Sequence, residues 1–192
     1  MKRLRSVVLL VTVLLMTTMS FSLLRVEGTY SAFAKQAGLG LGVSFPLIPL
    51  VDTTLYVHML GDADISGTAA FDGFTFSGTT EVSSTALEMQ AKLPLSLMDV
   101  NFGATFLMDF MNGKEPTSQK DFIFISGMYA GVFGYYQKPV SPLISLFGQM
   151  GLLVKVVDGA KIINDQATGA GINLGNLDRS GFYFRAGIAI GL

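Results

Sequence analysis

The chain contains no cysteine, no tryptophan and one histidine, His58, in 192 residues. The missing cysteines exclude disulfides, thiolate metal sites and cysteine nucleophiles. Charge is also scarce. Charged residues make up 14%, where soluble domains carry about 25%, so an ordinary water-facing surface cannot be coated. The formal net charge of −1 excludes the basic footprint of a nucleic-acid binder. Beyond Leu24 a charged residue or a glycine interrupts every apolar stretch before a helix could cross a bilayer. A membrane location would therefore have to be reached with strands. What the chain has in abundance is apolar and small. Hydrophobic residues make up 50%, the mean hydropathy is +0.51, and 22 glycines stand beside 15 phenylalanines and 6 tyrosines. This composition excludes disorder and suits a single domain.

Lys2, Arg3 and Arg5 precede an uncharged segment from Ser6 to Leu24. A basic start followed by an apolar run is an export signal. Ser20 and Ser22 put small residues at the two positions that a signal peptidase reads, so cleavage is expected near Ser22. That divides the chain into a signal peptide, 1–22, and an exported domain, 23–192. A retained helix is the competing reading, and the Thr and Ser residues from Thr17 onward make it a poor stop-transfer segment.

Period-two alternation runs through the exported part. From Gln36 to Phe45, Leu39, Leu41, Val43 and Phe45 fall on one face, and Gly38, Gly40, Gly42 and Ser44 on the other. These glycines lack the third position and the following helix of a dinucleotide fingerprint. Phe182, Phe184, Ile188 and Ile190 likewise oppose Tyr183, Arg185, Gly187 and Ala189. The pattern predicts eight strands, at Leu23–Tyr30, Ala37–Phe45, Asp52–Phe71, Phe74–Leu93, Asp99–Met111, Lys120–Tyr136, Leu143–Val157 and Gly181–Leu192. Asp72-Gly73 reads as a two-residue hairpin turn. The strands on either side of it are each about twice the 9–11 residues that a membrane strand needs. The phase of the apolar residues slips near Ala86, which predicts a β-bulge there. No stretch reads as an amphipathic helix.

Alternation alone does not say which face meets solvent. The polar faces consist of Gly, Ser, Thr, Asn and Gln with few charges, whereas a soluble barrel would dress its outside in Lys and Glu. Small polar residues suit the narrow interior of eight strands, which side chains nearly fill. Every second connection is short and apolar (Pro46–Leu50, Pro94–Met98, Lys138–Pro142), while Asn112–Gln119 and Asp158–Ser180 are polar. Short turns at one rim and longer polar loops at the other are the plan of an outer-membrane barrel. The expected fold is all-β: an eight-stranded antiparallel up-and-down transmembrane β-barrel with a long protruding hairpin. The alternative is a secreted soluble barrel, lipocalin-like, binding a small apolar ligand.

On this alternation, and above all on the C-terminal strand Gly181–Leu192 with its apolar residues at alternate positions, the chain resembles the small outer-membrane barrels of the OmpA/OmpX type. In that family the last residue is usually aromatic and is read by the outer-membrane assembly machinery; here it is Leu192. The resemblance implies an outer-membrane location, contact with outer-membrane lipid and with that machinery, and a structural or adhesion-like role toward an extracellular partner. It also implies a second alternative, since some such barrels are lipid-modifying enzymes that use a His with a Ser and an acidic residue.

His58 lies on the inward face with Thr54 and Tyr56, whereas lipid substrates lie outside. A hydrogen-bonded lumen histidine is the expected role, and no catalytic residue is assigned. One histidine without cysteine builds no typical zinc site. Asp158, Asn164, Asp165, Asn173, Asn176 and Asp178 of the last loop lack the spacing of a calcium loop, so no metal or cofactor is expected. Two sets of residues remain. The inward faces are read as carrying Arg25, Lys92, Lys155 and Arg185 against Glu27, Glu81, Glu88 and Asp109. Enclosed charges must pair. The expected pair is Glu27–Arg185, across the seam between first and last strands, with Glu88 and Lys92 each looking across the lumen. The second set is the hairpin tip, Phe71, Asp72, Gly73, Phe74 and Phe76, read as an exposed apolar contact site for a surface partner; the competing reading is that the hairpin folds over the barrel mouth or packs against the last loop.

Overall fold

The structure, a computed structural model, describes residues 24–48, 51–71, 74–97, 99–115, 119–166 and 171–191. The expected signal peptide and the turn residues Asp72 and Gly73 lie outside the described residues. Eight strands close into one antiparallel up-and-down barrel. They are β1 (Arg25–Ala32), β2 (Ala37–Ile48), β3 (Val51–Phe71), β4 (Phe74–Leu97), β5 (Val100–Lys114), β6 (Asp121–Pro139), β7 (Ile144–Asp158) and β8 (Gly181–Gly191). The seam joins β8 to β1, with Arg25 opposite Gly191 and Ala32 opposite Phe184.

Several strands run further than alternation indicated, so the short turns are tighter than the apolar connections suggested. Proline marks where pairing loosens. The register shifts between Pro46 and Ile48, and again between Lys92 and Ser96 around Pro94, because proline has no N–H to give to a ladder. Asp99, at the turn into β5, has φ of 65°, a left-handed conformation that aspartate tolerates better than most residues.

Most of the barrel is apolar outside and polar inside. Leu39, Met59 and Phe182 are 67, 69 and 68% exposed, while Thr54, His58, Glu88, Gln90, Asp109 and Arg185 are buried. A barrel in water has the reverse arrangement; this one is built for strands standing in hydrocarbon.

The lumen is filled by a repeated device. Gly42 lies directly opposite Tyr56, Gly40 opposite His58, Gly103 opposite Phe133, Gly151 opposite Tyr183 and Gly187 opposite Phe147. A Cβ on any of these glycines would strike the ring across from it. Each ring lies over a neighbour that has no side chain, which is how large residues fit in so narrow an interior.

At the loop rim the pattern inverts. Leu60 pairs with Ser84 and Ala63 with Val82, so Gly61 and Asp62 together oppose Ser83. This is a β-bulge, but in β3 and not at Ala86 of β4. Below it Leu55, Val57 and Met59 face outward; above it Ile65 and Ala69 are buried inside. From Phe76 to Lys92, β4 keeps its phase: Phe76, Val82, Ala86, Glu88, Gln90 and Lys92 all face inward. What changes along β4 is which face is apolar, with Leu87 and Met89 outside below and Phe76 and Val82 inside above. The slip in the sequence thus marks the upper edge of the outward apolar belt.

The long hairpin does not project freely. Ile65, Ala69, Phe76, Val82, Met111 and Phe122 form a core with Ile163, Ile172, Leu174 and Leu177 of the last loop. Phe76 is 1% exposed, so it is no part of an exposed tip patch. Phe71 and Phe74 are cross-strand neighbours. β3 outruns β2, whose Gly38 pairs with Leu60, and its upper edge would be bare. The loop covers part of it: Gly171 N–H donates to the Thr68 carbonyl at 2.7 Å and Asn173 N–H to the Ser66 carbonyl at 2.9 Å. An open strand edge invites pairing with another chain. Gly67 lies beneath this contact, where a Cβ would meet the Gly171 carbonyl. The loop also contains a helix that alternation did not show, α1 (Gly159–Gln166). Only Ala160 and Ile163 of it pack on the core, too few for a legible helical period.

The bulge sets an expected outcome. Ile65→Ser should cost about 3 kcal/mol, from a lost buried side chain and a hydroxyl placed in an apolar core. Its exposed neighbour Asp64→Ser should cost less than about 0.5 kcal/mol. Urea unfolding in detergent micelles, followed by gel mobility, measures both; the reverse order would mean that β3 carries no shift.

Candidate functional site

The functional candidates meet inside the barrel, where Glu27, Glu88 and Asp109 are buried with Lys92, Arg179 and Arg185. Nearest the turn rim, Lys92 Nζ donates to Glu27 at 2.9 Å. Ser44 and Tyr56 hydroxyls also donate to the Glu27 carboxylate. The ammonium and the two hydroxyls stand in for the water that this carboxylate gives up in the lumen.

At mid-height Glu88 is the hub. Arg185 Nη2 donates to one carboxylate oxygen, and His58 Nε2 lies 2.7 Å from the same oxygen. Gln90 and Thr105 each donate to the other oxygen at 2.7 Å. Arg185 in turn donates from Nε to Ser31 at 2.9 Å and lies over the Tyr56 ring, 4.6 Å from its centroid. Gln149 Nε2 donates to the Tyr183 hydroxyl at 2.6 Å.

The expected Glu27–Arg185 contact is absent. The seam register sets Arg185 opposite Ser31 and Glu27 opposite Ala189, four residues apart along β8. Shear at the closure therefore sends Arg185 across the lumen to Glu88 and leaves Glu27 to Lys92. One other residue read as inward lies elsewhere: Glu81 is exposed on the outer side of β4. Arg25 keeps the inward phase of β1, and its Nη1 sits 3.5 Å from Gln137 Oε1 of β6, a strand that is not its neighbour.

Towards the loop rim, Asp109 accepts from Arg179 Nε at 3.1 Å and from the Ser84 hydroxyl. Arg179 is fully buried although it belongs to the last loop. It escaped sequence reading because loops were given no face. Carrying the inward phase of β8 back from Tyr183 through Gly181 reaches Arg179, so the signal was present. With Tyr129 donating to the Leu177 carbonyl at 3.3 Å, this contact holds the loop down on the barrel mouth. Lys155 is at the rim rather than in the lumen, 3.2 Å from Asp178 and 3.9 Å from Asp158.

No protein-family profile matches the chain, and no curated protein matches it. Among solved structures, a major outer membrane protein from Thermus thermophilus is similar over 90% of this chain and 100% of its own, at 15% identity and a TM-score of 0.47. CarO of Acinetobacter baumannii is similar over 91% of this chain and 99% of its own, at 12% identity and a TM-score of 0.45. A NanC porin covers 88% of this chain and 100% of its own at 14% identity, with a TM-score of 0.29. At such identities no residue's role passes from one chain to the other.

The chemistry of the site is that of a packed, charge-paired interior. Among the described residues no group of three or more His, Asp or Glu is placed to hold a metal ion. Among the described residues, His58 Nε2 is engaged by Glu88, its Nδ1 has no hydrogen-bond partner, and no serine hydroxyl bonds it.

Two outcomes follow. In a double-mutant cycle, Arg185→Met alone should cost about 3–5 kcal/mol, because it strands the Glu88 carboxylate. Adding Glu88→Gln should recover most of that loss, whereas adding Glu27→Gln should recover none; detergent unfolding curves measure both couplings. The second concerns Asp178, outside the belt. Burial pushes its carboxyl up, but the Ser180 N–H and the Lys155 ammonium outweigh this and hold it below the usual aspartate range. The stabilisation it brings is present above the ordinary aspartate pKa and is lost as pH falls through the lowered value. Lys155→Ala should move the Asp178 titration upward, as read by carboxyl NMR.

Proposed function

We propose that this chain is a non-enzymatic outer-membrane β-barrel whose role is structural or adhesion-like, exercised by the lobe at its loop rim. The observation that carries the reading is the inversion of polarity: an apolar belt faces outward around the strands while the buried charges pair inside. Strands are the only alternative to helices for crossing a bilayer, and the basic and then apolar N-terminus supports export to the compartment where such barrels stand. Eight strands, a packed lumen and long loops at one rim support likeness to the OmpA/OmpX type. Outer-membrane lipid, the assembly machinery and a surface partner are the contacts this role requires.

The lipocalin-like alternative needs an apolar cavity inside and charge outside, and the buried polar residues speak against it. The lipid-modifying alternative needs a serine beside His58 and access from the bilayer; His58 is enclosed and held by an acid instead. General porin traffic is disfavoured by the rings and ion pairs that fill the lumen.

The expected results are a chain that resists carbonate extraction from the outer-membrane fraction, migrates differently with and without boiling, and gives no steady pore-sized conductance in planar bilayers. An epitope inserted between Asp72 and Gly73 should bind antibody on intact cells. Labelling only after lysis would mean that the loop rim faces the periplasm.

A further inference from the structure

Gly40, Gly42, Gly103, Gly151 and Gly187 in the lumen are explained by the rings that lie over them. Two glycines of the outer surface are not. A Cβ built on Gly28 of β1 or on Gly148 of β7 meets nothing within 4 Å. Glycine weakens a strand and leaves nothing to pack, and no neighbour in the chain makes use of the room at these two positions.

They lie in a stripe of small outward residues. Gly148 is opposite Ala186, and Ala186 is opposite Tyr30, two residues from Gly28. The stripe is the floor of two outward cavities that meet at Tyr30 and Ala186. One, of about 700 Å³, is walled by Phe102, Tyr136, Met150 and Phe184. The other, of about 610 Å³, is walled by Leu39, Leu41, Met59 and Ile188. From β5 round to β3 this is six strand spacings of about 4.8 Å, or about 29 Å along the surface. One acyl chain covers only half of a hydrocarbon core about 30 Å thick, so the trough is long enough to seat one.

We propose that this trough binds an acyl chain of an outer-membrane glycerophospholipid, lying over Gly28, Ala186 and Gly148. The proposal rests on the membrane reading above. Within the belt the available occupants are lipid chains and a second copy of the barrel. Two convex barrels meet along their ridges, so a second copy would touch the standing walls and leave the floor empty; a flexible chain reaches the floor. Tyr30 and Tyr136, 56 and 46% exposed, bring phenolic donors to the trough, and the ester carbonyls of a glycerolipid are acceptors for them. The trough thus favours a glycerolipid over a plain hydrocarbon.

The test uses the full chain purified from membranes in mild detergent and titrated with palmitoyl-oleoyl phosphatidylethanolamine under native mass spectrometry. The wild type should carry one lipid per barrel. Gly28→Val and Gly148→Leu fill the trough from positions where a Cβ meets nothing within 4 Å, so both should keep the mobility shift on boiling and bind the lipid at least tenfold more weakly. Ala91→Leu, on the outward face of β4 away from the trough, should bind as the wild type does. Equal binding by the filled variants, or a membrane-located wild type that carries no lipid, overturns the trough and leaves the membrane reading standing. A wild-type dimer that the filled variants break apart also overturns it, in favour of a second copy. Recovery of the wild type in the soluble fraction overturns the membrane reading and the trough together.

Discussion

A barrel of eight strands has room inside for side chains and for little else, and the rest of this structure answers to that limit. Tyr56, His58, Phe133, Phe147 and Tyr183 all point inward, and each is accommodated only because glycine stands opposite it. The same tightness governs the charges. Glu27, Glu88 and Asp109 are enclosed where water cannot reach them freely, so each carboxylate is met by a cation and by hydroxyls. Such pairs stabilise little over well-packed apolar residues, but the loss of either member leaves a bare charge. They make the packing specific: Arg185 cannot slide along its strand without leaving Glu88 uncovered.

The second organising feature is the level at which the molecule changes solvent. Along β3 the odd-numbered apolar residues keep their phase, and the bulge at Gly61–Asp62 rotates them from the outer surface into the core. Along β4 the backbone keeps its phase and the composition of the two faces is exchanged. Neighbouring strands thus solve one problem in two ways. Above that level four strands and the last loop make a lobe with an ordinary apolar core, clamped by Arg179 on Asp109.

Strand number, order, direction and the outward belt were legible because period two survives in every strand. The lumen residues Glu27, Glu88, Lys92, Asp109 and Arg185 could be put on the correct face for the same reason. Their partners could not. Pairing across a closed lumen depends on the shear of the seam, and a shift of four residues moved Arg185 from Glu27 to Glu88. The bulge was displaced to the wrong strand because a rotation of the backbone and an exchange of faces leave the same mark on the hydrophobic pattern. The helix and Arg179 were missed since both belong to a loop, where burial follows from what the loop covers and not from any local repeat. Phe76 was read as exposed because alternation assigns it a face but does not say what covers that face where the hairpin outruns its neighbours; here the last loop does.

The seam also orders events in time. Ser31 and Arg185 touch although 154 residues separate them, and the carboxylate that Arg185 neutralises is on β4. Until the last strand arrives, Glu88 lacks its guanidinium, and β1 and the growing end both present unpaired edges. Contacts so distant in sequence are slow to form, and open edges recruit wrong partners meanwhile. A chain of this design is open to wrong pairing chiefly before it closes, and that exposure ends when the final strand docks.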